Sequence, residues 1–333
     1  MSNINIPVSV LDLVPIREGS SGKEAIDHLA RIAQSVEQMG YKRYWIAEHH
    51  NAATLASSAT PILIKHTLEH TNHIRVGSGG IMLPNHSPLI VAEQFGTLAT
   101  IYPDRVDLGL GRAPGTDQVT AAAIRRSQGH SIITFPDDVQ LLLTYLGSQE
   151  IQGAVKAYPG VGTKVPLYIL GSSTDSAYLA AELGLPYVFA SHFAPAHLEE
   201  AISIYRRQFK SSVYLDKSYV MAAANVVAAE TDEEAQFLSS TMDLVLLNVI
   251  RGTQIPMKPP VADVDHFIDP MEKEIISSMA KVTFKGSKNT VKKQLTDFQN
   301  HYNVDELIVN SFIYDEDKLK RSFEILKEVV DGK

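Results

Sequence analysis

The chain contains no cysteine. That single absence excludes disulfides, thiolate nucleophiles and cysteine-ligated metals together. It has one tryptophan, and no uninterrupted apolar run reaches the ~18 residues needed to span a bilayer. No cluster of lysine or arginine stands out, and the net charge is −8. A nucleic-acid or anionic-membrane partner is therefore not expected. The opening stretch MSNINIPVSVLDLVP lacks a basic region followed by an apolar core, so no secretory signal is read there and a cytoplasmic location is expected. Two hydrolase signatures, HExxH and GxSxG, are also missing.

What is present is a regular switch between two hydrophobic periods. Short Val-, Ile- and Leu-rich runs at residues 7–13, 43–47, 75–83, 105–110, 165–170, 187–190, 219–229 and 306–312 read as strands. Between them, residues 23–40, 57–71, 87–102, 175–183, 195–209, 231–250 and 317–330 carry apolar residues at helical spacing. Continuous apolar strands alternating with amphipathic helices predict a parallel sheet covered by helices. Eight such units in 333 residues suit one closed (β/α)8 TIM barrel, with 1–333 forming a single domain. Two insertions interrupt it, residues 113–162 after strand 4 and residues 251–285 before the last β/α unit. Loops of that length often serve as lids, and 251–285 is expected to be a mobile one.

In such a barrel the functional face is the C-terminal end of the strands. The stretch YWIAEHHN puts Glu48, His49 and His50 at the end of the second strand, where the alternatives are a reaction site and a solvated loop. VGSGGIMLP has Gly79 and Gly80 inside an apolar strand, which weakens it unless a ligand or another backbone comes close. Either a planar ligand or a tight bend explains the pair. RVDLGLGRAPG sets Arg112 just beyond the fourth strand, able to fork onto phosphate oxygens or to remain a surface charge. Its Gly109, Gly111 and Gly115 miss a dinucleotide fingerprint by one residue of spacing. In LYILGSSTDSAYLAAELG, Leu170, Gly171, Ser172 and Ser173 lead into a helix whose free N–H groups favour a phosphate, with Ser176 one turn in. The alternative is an ordinary serine or aspartate cap, and Asp175 opposes an anion unless it points away. His66 and His70 are spaced as metal ligands can be, with His73 beyond, but no third ligand is evident and no metal is expected. Trp45 is most simply core.

In this order, GYKRYWIAEHHN, IRVGSGGIMLPNHSPLIVAEQFGTLATIYPDRVDLGLGRAPG and LYILGSSTDSAYLAAELGLPY resemble the bacterial luciferase-like family of flavin-dependent monooxygenases over nearly the whole chain. The resemblance implies a (β/α)8 barrel holding reduced FMN at its C-terminal rim. It implies that Arg112, Leu170, Gly171, Ser172, Ser173 and Ser176 hold the phosphate end. It implies that Gly79 and Gly80 form a non-prolyl cis peptide under the isoalloxazine ring, and that His49 is the catalytic acid/base. Where luciferase has an acidic residue this chain has Ser172, and its strand-three pair is smaller, so the single-gene, non-luciferase branch is the better match. The activity implied is oxidation of a small organic substrate by reduced FMN and O2. Reducing equivalents would come from NAD(P)H, directly or through a flavin reductase. A deazaflavin-dependent oxidoreductase and a non-catalytic flavin-binding accessory protein are the competing readings. TPILIKHTL and PLIVAEQFGTLATIY carry more than one apolar stripe, and with the resemblance they imply a homodimer.

Overall fold

Strands buried along most of their length alternate with helices through this computed structural model, which describes residues 4, 6–113, 116–124 and 133–332. The strands are β1 (Val8–Asp12), β2 (Arg43–Ile46), β3 (Arg75–Met82), β4 (Val106–Gly111), β5 (Leu167–Gly171), β6 (Tyr187–Phe189), β7 (Val220–Ala228), β8 (Thr283–Gly286) and β9 (Glu306–Asn310). β1 to β7 pair in sequence and in parallel; β7 then pairs with β9, and β9 with β1. That ring is the (β/α)8 barrel expected from the alternation. The helices are α1 (Gly22–Gln38), α2 (Thr60–His70), α3 (Pro88–Ile101), α4 (Gln118–Ile124), α5 (Phe135–Leu146), α6 (Thr174–Leu183), α7 (Leu198–Gln208), α8 (Asp232–Arg251), α9 (Pro270–Met279), α10 (Lys288–Tyr302) and α11 (Glu316–Asp331). Among the described residues no helix is long and apolar enough to cross a membrane.

Local chemistry accounts for the boundaries. α1 opens on a capping box between Ser21 and Glu24, and Gly40 follows its end at φ +79°. Thr231 caps α8 through the Glu234 N–H. Three elements stand where the periodicity suggests nothing regular. β8 is four residues with one buried apolar side chain, Phe284, and pairs only with residues 225–228 of β7, beyond the 220–222 used by β6. α10 buries a narrow stripe of Val291, Leu295 and Phe298. α5 breaks the expected irregular insertion with Phe135, Val139, Leu142 and Leu146 on one face. Gly115 and residues 125–132 of that insertion lie outside the described residues.

The 251–285 segment is laced to the barrel. Met257 donates its N–H to the Ile16 carbonyl at 2.9 Å and accepts from the Glu18 N–H at 2.8 Å. Gln254 accepts from the Ala53 N–H at 2.6 Å and donates to the Asn51 carbonyl at 2.9 Å. Its Met257, Ile268 and Ile276 join Met242, Leu246 and Leu247 of α8 in a small core of their own.

Inside the barrel the side chains form layers. At the N-terminal ends of the strands, Arg43 bridges Asp107 (2.7 Å) and Glu306 (2.9 Å), while Arg75 grips the other Asp107 oxygen at 2.6 Å. Burial pushes the Glu306 carboxyl up, but Arg43 and Lys42 outweigh it and hold the group below the usual carboxylate range. Above this lies an apolar layer of Leu11, Trp45, Tyr168, Val188, Met221 and Ile308. Trp45 stacks edge-on against Tyr168 at 4.9 Å and donates its indole N–H to Asp107 at 3.1 Å. Trp45 is thus core, and it is also the floor of what lies above.

Candidate active site

At the C-terminal ends of the strands a cavity of about 350 Å3 opens on that apolar floor. It is lined by His49, Gly79, Gly80, Arg112, Leu170, Gly171, Ser172, Ser173 and Ser176. The nine residues that the resemblance implies for the site therefore line one cavity, although they come from four separate strand ends.

One side of the cavity is formed by the N-terminus of α6 and Arg112. Ser173 stands at the N-cap of α6 in extended conformation, yet its side chain makes no capping bond. The first N–H groups of α6 are therefore left without the side-chain partner such helices usually have. Ser176 packs against Gly171, where an added Cβ would come within 2.0 Å of its hydroxyl oxygen. That hydroxyl donates to the Ser173 carbonyl at 2.8 Å and lies 3.2 Å from the Tyr187 hydroxyl, so it braces the turn. Arg112 reaches over from β4 and binds the Asp175 carboxylate at 3.0 Å. Asp175 is thereby tied to the arginine.

A second side has almost no side chains. β3 turns Arg75, Gly77 and Gly79 inward in alternation. A Cβ on Gly79 would come within 2.5 Å of a Leu11 methyl and 3.2 Å of Trp45, and one on Gly80 within 2.7 Å of the Gly109 carbonyl oxygen, so a side chain here must displace its neighbours. The Gly79–Gly80 peptide is cis, as the resemblance implies, and the β3–β4 register shifts between Ser78 and Ile81. The result is a wall of bare backbone facing the cavity.

His49 continues the inward alternation of Arg43, Trp45 and Ala47. Burial lowers its pKa below the ordinary histidine value, and its buried Nδ1 has no hydrogen-bond partner. Glu48 and His50 turn the other way. Glu48 is buried, and its Oε1 takes hydrogen bonds from the Nε2 atoms of both His50 and His86, each at 2.7 Å. Burial pushes the Glu48 carboxyl up, but the bonds from His86 and His50 win and leave it below the usual range. This network pins the segment that carries His49. His66 and His70, by contrast, lie on α2 with rings 4.4 Å apart, away from the cavity.

Sequence reading missed His192 and Phe193, which follow β6 and close the cavity beside His49. His192 is held by burial at a pKa of about 4, with the nearby His49 acting in the same direction. Its Nδ1 is also buried and unpartnered. The signal was available: FASHFAP sets a histidine just past a strand end, as EHH does.

A family model for luciferase-like monooxygenase matches residues 6–301. The chain is similar to an uncharacterized protein, YddN, of Bacillus subtilis (strain 168), at 51% identity over 97% of this chain and 96% of that one. It is 44% identical to a luciferase-like monooxygenase of Escherichia coli (strain K12), over 99% and 98% of the two chains. Among solved structures, apo-MsnO8 superposes with a TM-score of 0.91 at 33% identity, covering 98% of each chain. More distant structures share the fold. One is the oxygenating constituent of 3,6-diketocamphane monooxygenase from Pseudomonas putida in complex with FMN (TM-score 0.75, 18% identity, 99% and 98% of the two chains covered). Another is an F420-dependent secondary alcohol dehydrogenase (TM-score 0.71, 15% identity, 98% of each chain covered). This chain belongs to the luciferase-like monooxygenase family.

Proposed function

We propose that this protein is a monooxygenase that uses reduced FMN and O2 to oxidise a small organic substrate. One observation carries the reading: a single cavity joins Arg112 and the N-terminus of α6 to a bare backbone wall beside a histidine whose burial disfavours its charged form. Arg112 and the uncapped N–H groups of α6 would hold the phosphate, by charge-assisted hydrogen bonds and the helix dipole. Ser172 and Ser173 would add donors at the same turn. The Gly79–Gly80 backbone would lie against the ring, where a side chain on Gly80 would press on the Gly109 backbone. Leu11, Trp45, Val188 and Ile308 keep water from the reacting end. His49, neutral near pH 7, would accept and return a proton there. When bound, the reduced flavin supplies the electrons and the centre for oxygen activation.

FMN is preferred here to a deazaflavin with a polyanionic tail because Arg112 is the one fixed cation among the described residues lining the cavity. NAD(P)H, directly or through a flavin reductase, would regenerate the reduced flavin. The proposal extends to a homodimer through α2 and α3, which leave Ile62, Ile90 and Ile101 exposed at 68%, 48% and 54%. The test is to load the protein anaerobically with reduced FMN, then add O2 and candidate substrates. Oxygen-dependent substrate oxidation is expected. Binding of F420 alone, with oxygen-independent hydride transfer, would replace this reading.

A further inference from the structure

Glu48, His50 and His86 do not line the cavity, yet they bring three metal-ligating atoms to one point. Glu48 Oε1 and one ring nitrogen of each histidine all lie within 4.8 Å of one another. The Glu48 side chain is 1% exposed and the His50 and His86 side chains 17% and 28%, so a buried anion sits beneath two rings that solvent reaches. Both Nε2 atoms converge on the same carboxylate oxygen, while Oε2 takes the Met82 N–H at 3.4 Å. The rings are not stacked: their centroids are 6.2 Å apart, with the carboxylate oxygen between the two nitrogens. Each carrier is held from outside the cluster. The His50 carbonyl accepts from the Thr116 hydroxyl at 3.1 Å, and His86 follows a short 3-10 helix, Leu83–Asn85, with its N–H on the Leu83 carbonyl at 2.9 Å.

We infer that Glu48, His50 and His86 bind one divalent transition ion of the zinc type. Two imidazole nitrogens and a carboxylate oxygen are a recurrent donor set for such ions, with a fourth position left to water. A tetrahedral zinc with bonds of about 2.0–2.1 Å sets its ligand atoms roughly 3.3 Å apart, so the two 2.7 Å contacts open by about 0.6 Å to admit it. Each imidazole moves its proton from Nε2 to Nδ1 through solvent and presents the freed lone pair, so the tautomers change and the charge of the ligands does not. A dication gains more from a buried carboxylate than from an exposed one, because less water screens the pair. Ligands 48 and 50 flank His49 and ligand 86 lies beyond β3, so the ion ties two strand ends together and fixes the backbone that carries His49. The site stands whatever the cavity holds. His66 and His70, spaced as ligands can be, differ: His70 Nδ1 bonds the His66 carbonyl at 2.8 Å, and no third ligand joins them among the described residues.

The test is calorimetric titration of the chelator-stripped full chain with zinc chloride at about pH 7.5; with no cysteine present, no thiolate competes. One ion per chain is expected, with a Kd of about 10 μM or below. His86→Gln and His50→Gln each keep an N–H for Glu48 but lose the imidazole ligand, and each should weaken zinc at least about tenfold. A variant carrying both His66→Ala and His70→Ala should bind zinc as the wild type does. At about a hundredfold excess over Kd, zinc should raise the Tm of the wild type by about 3–5 °C and that of neither glutamine variant. Should His86→Gln fail to fold, His50→Gln decides. No binding at about 100 μM zinc, affinity unchanged in a folded glutamine variant, or binding lost with His66 and His70 overturns the inference.

Discussion

Arg112→Ala tests the anion end of the site, and the structure sets the size of the effect. Charge-assisted hydrogen bonds contribute about 1.5–3 kcal/mol each. In the protein as described, however, Arg112 is already engaged with Asp175 at 3.0 Å, and the two side chains are 37% and 65% exposed. An exposed pair of that kind is worth about 0.2–1 kcal/mol and is screened by salt. Handing the guanidinium from Asp175 to a phosphate therefore nets about 0.5–2.8 kcal/mol, or roughly a two- to hundredfold loss of FMN affinity in Arg112→Ala. Asp175→Asn should do the opposite on a smaller scale, tightening FMN about twofold by freeing the arginine and removing a like charge. The assay is quenching of flavin fluorescence during titration with each variant, with riboflavin as the control. Riboflavin has no phosphate, so its affinity should be unchanged by either substitution. Equal weakening of riboflavin and FMN by Arg112→Ala would refute the assignment, as would no weakening of either.

His49→Gln should bind FMN nearly normally and lose turnover by about 10²–10⁴-fold, whereas His50→Gln should lose far less because its ring is turned to Glu48; equal small losses would count against His49. Arg43→Met leaves the buried Asp107 and Glu306 facing each other without their bridge, and urea unfolding should show about 3–5 kcal/mol of lost stability; a loss under about 1 kcal/mol would mean the layer is not energetically coupled. His192 offers a pH test: its folded pKa of about 4 lies below the ordinary 6.5, so the unfolded chain binds the extra proton between those values. Its contribution is present above about pH 6.5 and is lost as pH falls towards about 4. At about 1.36 kcal/mol per unit that is on the order of 3 kcal/mol, and His192→Asn should flatten this part of the stability profile. Light scattering at micromolar concentration should give a dimer mass, and Ile62→Lys with Ile90→Lys a monomer; a wild-type monomer would refute the proposed α2–α3 interface.

Much of the architecture is legible in the chain because strand and helix periods are local properties. The alternation through Trp45, Ala47 and His49 says which side chains face inward, and the barrel rule says which strand ends carry chemistry. The EHH cluster, Gly79–Gly80, Arg112 and the GSS turn could thus be recognised separately, each with an ordinary alternative beside it. Their meeting in one cavity is a consequence of barrel closure, which brings β2 to β5 side by side. Local period could not reveal β8, whose four residues bury one apolar side chain, or α10, whose stripe is three residues wide. Nor could it show that Arg112 holds Asp175, that Glu48 collects both His50 and His86, or that His192 stands by His49. Apart from Glu48 with His50, those pairings join residues from different strand ends. A sequence specifies which face each residue presents; which distant faces then touch is decided by how the strands tilt and close around a shared core.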